Sequence, residues 1–266
     1  MTPRIPDFQV AGDSDTTVFL FHGAYGSKDY FRAEIETLVR AGLRVVAWDA
    51  PGYGLSALPA EGLSIEGLAQ SAARLVELMG SRTNVVLGHS MGGIIAPAVA
   101  VLLPHKVHGL VISATVASFS EKSEADKKTF LAERVDPLKR GNTFRDTAAA
   151  VIDAMFAPGS SGPLVQLVRE VALATSKDTF VAAIEAIVRY EGVPTLRKVA
   201  VPTLLLAGAH DKVGQPAGME NIQKSFVPHA EFHVLPQSGH YGFAEQPELF
   251  NQHLLGFIRQ QVLQGA

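Results

Sequence analysis

Short runs of β-branched and other apolar residues alternate along this chain with longer stretches of helical period, and that rhythm most constrains its fold. The runs at 17–21, 44–48, 85–87, 109–113, 203–207 and 231–235 are mostly apolar. Strands that are apolar on both sides must be covered on both sides, as in a parallel sheet. The stretches 31–41, 65–79, 91–103, 218–226 and 247–263 each read as a helix. This alternation predicts βαβ units, and so an α/β fold with a mostly parallel sheet and helices on both faces.

One interval breaks the rhythm. Residues 118–195 carry no strand pattern, only helical patterns punctuated by Gly141-Asn142 and by Pro158-Gly159-Ser160-Ser161-Gly162-Pro163. A compact domain rarely holds a structureless loop of that length, so a helical insertion is expected. It is expected to sit as a lid (cap) over one edge of the sheet. The chain then divides into a first core segment, 1–117, the lid, 118–195, and a second core segment, 196–266. Residues 7–11 read as one short additional strand.

Composition narrows the partners. Of 266 residues, 47 % are hydrophobic and 18 % charged, so a large core can be buried and wholesale disorder is excluded. The net charge is −3, with no block of like charge, which argues against a nucleic-acid or anionic-membrane partner. There is no cysteine, hence no disulfide, thiolate metal site or cysteine nucleophile. The start, Met1-Thr2-Pro3-Arg4-Ile5-Pro6-Asp7, is polar and broken by prolines, unlike a secretory signal. The longest apolar run, about 92–104, is too short to span a bilayer and contains Pro97. A cytoplasmic protein with a small-molecule partner is expected, as a monomer or homodimer.

The sequence after the run at 85–87 is Gly88-His89-Ser90-Met91-Gly92-Gly93, followed by an apolar helical stretch. This Gly-x-Ser-x-Gly pattern, placed between strand and helix, predicts a sharp turn that exposes a nucleophilic serine at a helix N-terminus. The pentapeptide alone would also describe a plain glycine-rich turn, and its setting favours the nucleophile. A serine hydroxyl needs a base, and the base needs an orienting group. For this turn the chain order is serine, acid, histidine. His240, in Gln237-Ser238-Gly239-His240-Tyr241-Gly242, follows the last strand pattern at the sheet edge where ligand sites gather. Asp211 directly follows the strand pattern at 203–207 and stands in the required order. A lone Asp there is more often a turn residue, but after the run at 109–113 come Ala114-Thr115, with no competing carboxylate. An oxyanion hole needs two N–H donors. Met91, after the nucleophile, and Ala24, in the loop His22-Gly23-Ala24-Tyr25-Gly26, are the candidates.

The marks His22-Gly23, Asp49-x-Pro51-Gly52-x-Gly54-x-Ser56, Gly88-x-Ser90-x-Gly92-Gly93, Gly208-x-x-Asp211 and Gly239-His240 occur in one order from residue 19 to about 250. In this the chain resembles the α/β-hydrolase superfamily, and within it the small lidded bacterial esterases and enol-lactonases. The resemblance implies an α/β-hydrolase fold with a helical lid insertion and a Ser90–His240–Asp211 triad. It also implies a scaffolding role for the Asp49 turn, and Glu245 and Pro247 resemble a helix start. The family usually opens with a hairpin, for which this chain has little room.

The implied activity is serine hydrolysis of a carboxylic ester or lactone of a small, largely apolar or aromatic substrate, with no metal or organic cofactor. Epoxide hydrolases and haloalkane dehalogenases place Asp where this chain has Ser90. Prolyl aminopeptidases typically follow the serine with Trp, here Met91, and ring-cleavage C–C hydrolases often precede it with Asn, here His89. Carbon–carbon or amide cleavage stays open, as do a ligand receptor and non-hydrolytic chemistry (perhydrolysis, lyase action, cofactor-free oxygenation). Tyr25 and Tyr241 are expected to line the substrate site, Phe130 and Phe156 to close it from the lid, and Arg189 to hold a substrate carboxylate.

Overall fold

The computed structural model describes residues 5–119 and 123–264. Residues 1–4, 120–122 and 265–266, which belong to the expected N-terminal stretch, lid and C-terminal segment, lie outside the described residues. The core strands are β1 (Phe8–Ala11), β2 (Thr16–Phe21), β3 (Arg44–Trp48), β4 (Thr83–His89), β5 (Gly109–Ser113), β6 (Thr203–Gly208) and β7 (Glu231–Leu235). They form a single seven-stranded sheet in the order β1-β3-β2-β4-β5-β6-β7. All neighbours are parallel except β1, which runs antiparallel to β3 with Phe8 opposite Trp48. The N-terminal strand therefore pairs across to β3 instead of forming a hairpin with β2.

Every residue of β2, β5 and β6 is buried, which requires helices on both faces. Those helices are α1 (Arg32–Arg40), α2 (Ile65–Met79) and α3 (Met91–Leu102) in the first part of the chain. The α10 (Pro216–Ser225), α11 (Gly242–Glu245) and α12 (Pro247–Phe257) helices complete the set. The α2 helix packs on α3, and α1 packs on α12. Local chemistry sets the bounds of α2. Ser64 accepts a hydrogen bond from the Gly67 amide at 3.1 Å, and Gly80 leaves the helix in extended conformation.

Among the described residues the inserted interval forms six helices, α4 (Glu124–Arg134), α5 (Asp136–Lys139), α6 (Phe144–Asp153), α7 (Pro163–Leu173), α8 (Lys177–Arg189) and α9 (Val193–Leu196). Its described residues contain no strand. Thr179 on α8 donates to the Gly52 carbonyl at 2.7 Å, fastening the insert to the turn after β3.

Some elements end elsewhere than their patterns predict. The β4 strand begins at Thr83 because the amide group of Asn84 is paired internally, with the Ser81 amide and the Ser81 and Lys106 carbonyls. The α10 helix starts at Pro216, two residues before the apolar pattern, with proline in the first turn where its missing N–H costs nothing. The stretch 247–263 changes at Ile258 into a π-helical turn, Ile258–Leu263. Among the described residues no helix is long and apolar enough to cross a membrane.

One carboxyl is sealed between two helices. Glu34 of α1 is wholly buried, with Asn251 of α12 donating to its Oε1 at 3.4 Å and its Oε2 unpartnered among the described residues. Burial pushes its pKa up to about 8, against the opposing pull of its own backbone amide and Asn251. An acid whose pKa is higher folded than unfolded favours folding when protonated. Stability from this site is therefore full at pH 4 and falls as pH rises towards about 8. Glu34→Gln is expected to raise the melting temperature by a few degrees at pH 9 and to change it much less at pH 5. Calorimetry of both proteins at the two pH values checks this.

Candidate active site

The parallel register brings the carboxyl ends of the central strands to one edge, where the loops after β2, β4, β5, β6 and β7 converge. The tightest of these joins β4 to α3. Ser90 has φ 55° and ψ −113°, a strained left-handed conformation for a residue with a side chain. Hydrogen bonds hold it there. Its amide donates to the Ser113 carbonyl at 2.9 Å, and its carbonyl accepts from Thr115 Oγ1 at 2.7 Å. The turn closes only without side chains at its flanks. A Cβ on Gly88 would lie 1.9 Å from the Gly92 carbonyl oxygen, and one on Gly92 would lie 2.0 Å from that of Phe21.

Asp211 and His240 meet beside this turn. Nδ1 of His240 lies 2.9 Å from Asp211 Oδ2, and both side chains are almost fully buried. The other carboxylate oxygen accepts from the amides of Val213 at 2.7 Å and Gly214 at 3.0 Å. Burial alone would raise the Asp211 pKa. The attraction and hydrogen bond of His240, with the two amides, outweigh it and hold the carboxyl below its ordinary range. Asp211 is thus an anion aimed at Nδ1, which leaves Nε2 of the imidazole for a second partner. Ser90 and His240 line the same cavity, and among the described residues no hydrogen bond joins their side chains.

The loop after β2 is clamped from three sides. Nε2 of His22 accepts from the Ala50 amide at 3.0 Å, which assigns the proton to Nδ1, donating to the Gly23 carbonyl at 2.8 Å. Burial lowers the His22 pKa to about 4, so this tautomer persists at neutral pH. The Gly23 amide donates to the Tyr30 hydroxyl at 2.6 Å, and the Tyr53 hydroxyl donates to the Ala24 carbonyl at 3.1 Å. Among the described residues neither the Ala24 nor the Met91 amide donates to a protein acceptor, and both residues line the cavity. The Asp49 turn is scaffolding. Buried Asp49 pairs with Lys28, and its carbonyl accepts from Ser56 Oγ at 2.8 Å.

The cavity is mainly apolar. Tyr25, Tyr241 and Phe130 line it. Phe156 does not: its ring packs on Tyr241, 5.0 Å between centroids, and faces an outer groove with Arg169 4.7 Å from the ring centre. Arg189 is also displaced from its expected role. It ends α8 with a 64 % exposed side chain, 3.9 Å from Glu185 one turn earlier, and it lines no part of the cavity. The cation that does line it is Arg134, at the end of α4. Sequence reasoning missed it because only tertiary packing turns that position inward.

Glu245 was the second omission. Rather than only marking a helix start, its carboxylate accepts four hydrogen bonds. Gly239 and Tyr241, on either side of His240, donate their amides at 2.9 and 3.1 Å. From the insert, Ala157 donates its amide at 2.7 Å and Ser160 its hydroxyl at 2.6 Å. The His240 amide itself donates to the Met155 carbonyl at 2.7 Å. One carboxylate thus ties the histidine loop to the inserted helices. Glu245→Ala strands these donors and is expected to cost about 3 kcal/mol of stability, since bonds to a charged group are the stronger kind. Turnover should fall by more than tenfold, beyond the loss of folded protein, through misplacement of His240. Denaturant titration and kinetics on the folded fraction test the two effects separately.

Comparison with known proteins agrees with the fold. Residues 16–247 match the family model described as alpha/beta hydrolase fold. The chain is 27 % identical to a 2-hydroxy-6-oxononadienedioate/2-hydroxy-6-oxononatrienedioate hydrolase of Pseudomonas sp, covering 93 % of this chain and 89 % of that one. It is 26 % identical to a non-heme haloperoxidase of Rhodococcus erythropolis, over 92 % and 93 % of the two chains. Among solved structures, a thermophilic esterase from Thermogutta terrifontis superposes with a TM-score of 0.83 at 26 % identity, over 96 % and 93 % of the two chains. The chain belongs to the α/β-hydrolase family.

Proposed function

We propose that this enzyme hydrolyses a carboxylic ester or lactone of a small, largely apolar or aromatic substrate through an acyl-enzyme on Ser90. The observation that carries the reading is the convergence of the strained Ser90 turn and the buried Asp211–His240 pair on one mainly apolar cavity. Ser90 Oγ attacks the carbonyl carbon as His240 Nε2 takes its proton. Asp211 fixes the tautomer with the proton on Nδ1 and stabilises the imidazolium. The negative charge that develops on the carbonyl oxygen is met by the Ala24 and Met91 amides, with the α3 N-terminus adding its dipole. His240 then protonates the leaving alcohol and activates water, which releases the acid and restores Ser90. None of these steps calls on a metal or organic cofactor. The inserted helices act as the lid, with Phe130 from α4 shielding the acyl-enzyme from bulk water.

Ser90→Ala is expected to abolish hydrolysis of p-nitrophenyl acyl esters and labelling by a fluorophosphonate, while circular dichroism stays that of the parent. Retention of parental activity or labelling would overturn the nucleophile. Asp211→Asn, which offers His240 the wrong hydrogen-bonding partner, should lower kcat by about 10³–10⁴-fold. A pre-steady-state burst followed by slower release is the expected kinetic form if deacylation limits turnover. Chelators should leave the rate unchanged.

A further inference from the structure

Among the described residues the cavity wall holds one permanent cation and no carboxylate. The cation is Arg134, whose side chain is only 15 % exposed. Its guanidinium carbon lies 4.0 Å from the centre of the Phe130 ring, and Phe130 in turn packs on Phe119 at 4.6 Å. Nη1 donates to Glu133 Oε2 at 3.1 Å and reaches the Phe130 carbonyl at 3.5 Å. Among the described contacts Nη2 and Nε have no partner. Glu133 is 63 % exposed, so water screens the pair and leaves much of the positive charge to act on the cavity. Three of the five guanidinium N–H donors, those on Nη2 and Nε, are thus left for water or for an anionic ligand.

Arg134 also marks where the cavity continues outward. It lines an adjoining groove together with Phe119, Phe130, Lys212, Gln215 and Asn221. This groove adds a second cation and two side-chain amides, and again has no carboxylate among its described lining residues. The polarity is therefore graded. The end holding Ser90 and His240 is mainly apolar, and the end at Arg134 and Lys212 is cationic.

We propose that the substrate is an ester or lactone that carries a carboxylate remote from its scissile carbonyl, and that Arg134 binds this carboxylate at the junction of cavity and groove. This rests on the hydrolase reading above. The planar fork of Nη2 and Nε matches a carboxylate in a two-point hydrogen bond, with Phe130 holding the guanidinium in plane from one side. Lys212, exposed on the groove, raises the local concentration of the anion. Arg134 thus takes the role that the sequence pattern assigned to Arg189.

Two 4-nitrophenyl esters of matched reach test this, one the monoester of adipic acid and one of heptanoic acid, in which the terminal methyl of the second takes the place of a carboxylate oxygen of the first. The unsubstituted enzyme is expected to favour the carboxylate ester in kcat/KM by about tenfold or more, chiefly through KM, as a charge-assisted hydrogen bond predicts. Rising salt should erode that preference. In Arg134→Gln the ratio of the two kcat/KM values should fall at least tenfold, Arg134→Lys should keep part of it, and Arg134→Glu should reverse it. An enzyme that treats both esters alike, or an unchanged ratio in Arg134→Gln, would overturn the proposal. Calorimetric titration of Ser90→Ala with adipate separates this from the hydrolase reading. Adipate binding that is lost on adding Arg134→Gln supports the anion site even if neither ester is cleaved. Cleavage of both esters without adipate binding or selectivity removes the anion site and leaves the hydrolase.

Discussion

Backbone crowding at the junction of β4 and α3 is the constraint from which the rest of the site follows. The strand must stop and the helix must start within one residue, and that residue is held in the left-handed region by hydrogen bonds to the strand and loop beside it. No side chain fits on the glycines at either flank. Because the turn is pinned to β5 through the Ser113 carbonyl, the position of Ser90 is a property of the sheet rather than of a flexible loop. The remaining groups are brought to it by the same parallel register. Strand ends of equal reach deliver the Ala24 loop from β2, Asp211 from β6 and His240 from beyond β7.

The core was legible because its chemistry is local. Fully buried parallel strands need uninterrupted apolar runs, and the turn at Ser90 needs glycine at fixed offsets, so both leave marks within a few residues. Asp211 and His240 could be picked out because each directly follows a strand. The insert is a different case. Its helices carry apolar stripes, yet the direction each stripe faces is decided by contacts with elements far away in the chain. Phe130 and Phe156 look equivalent as lone aromatics on helical patterns, but one lines the cavity and the other backs Tyr241. Arg134 and Arg189 each end a helix, and tertiary packing alone sends the first inward and the second to solvent. Glu245 was hidden for a related reason. A carboxylate two residues before a helical stretch is ordinary, and its partners at 157 and 160 are separated from it by more than eighty residues.

The electrostatic layout of the cavity separates two tasks. Around the serine, uncharged groups and buried aromatics exclude water, which strengthens the influence of each oriented amide on a developing charge. Burial and the neighbouring histidines hold the pKa of His89 well below its ordinary value, so this ring beside His240 stays neutral. Burial likewise raises the Tyr25 phenol, against the opposing pull of Arg134, so Tyr25 stays protonated. The one charge fixed next to the imidazole is Asp211. A cation at the far end of the cavity can then select a substrate without disturbing the charge balance at the reacting atoms.

The shared carboxylate of Glu245 has a consequence for how such a chain can diversify. Inserts that differ between relatives are easily pictured as exchangeable modules seated on a common core. Here the stretch from Met155 to Ser160 belongs to the histidine loop as much as to the insert, since it holds that loop through Glu245 and through the carbonyl that accepts the His240 amide. Helices α4 to α6 can drift in sequence and reshape the cavity wall, whereas the loop that follows them must keep its backbone path. A graft that replaces the whole insert would unfasten His240, so the usable seam for exchange lies before Met155.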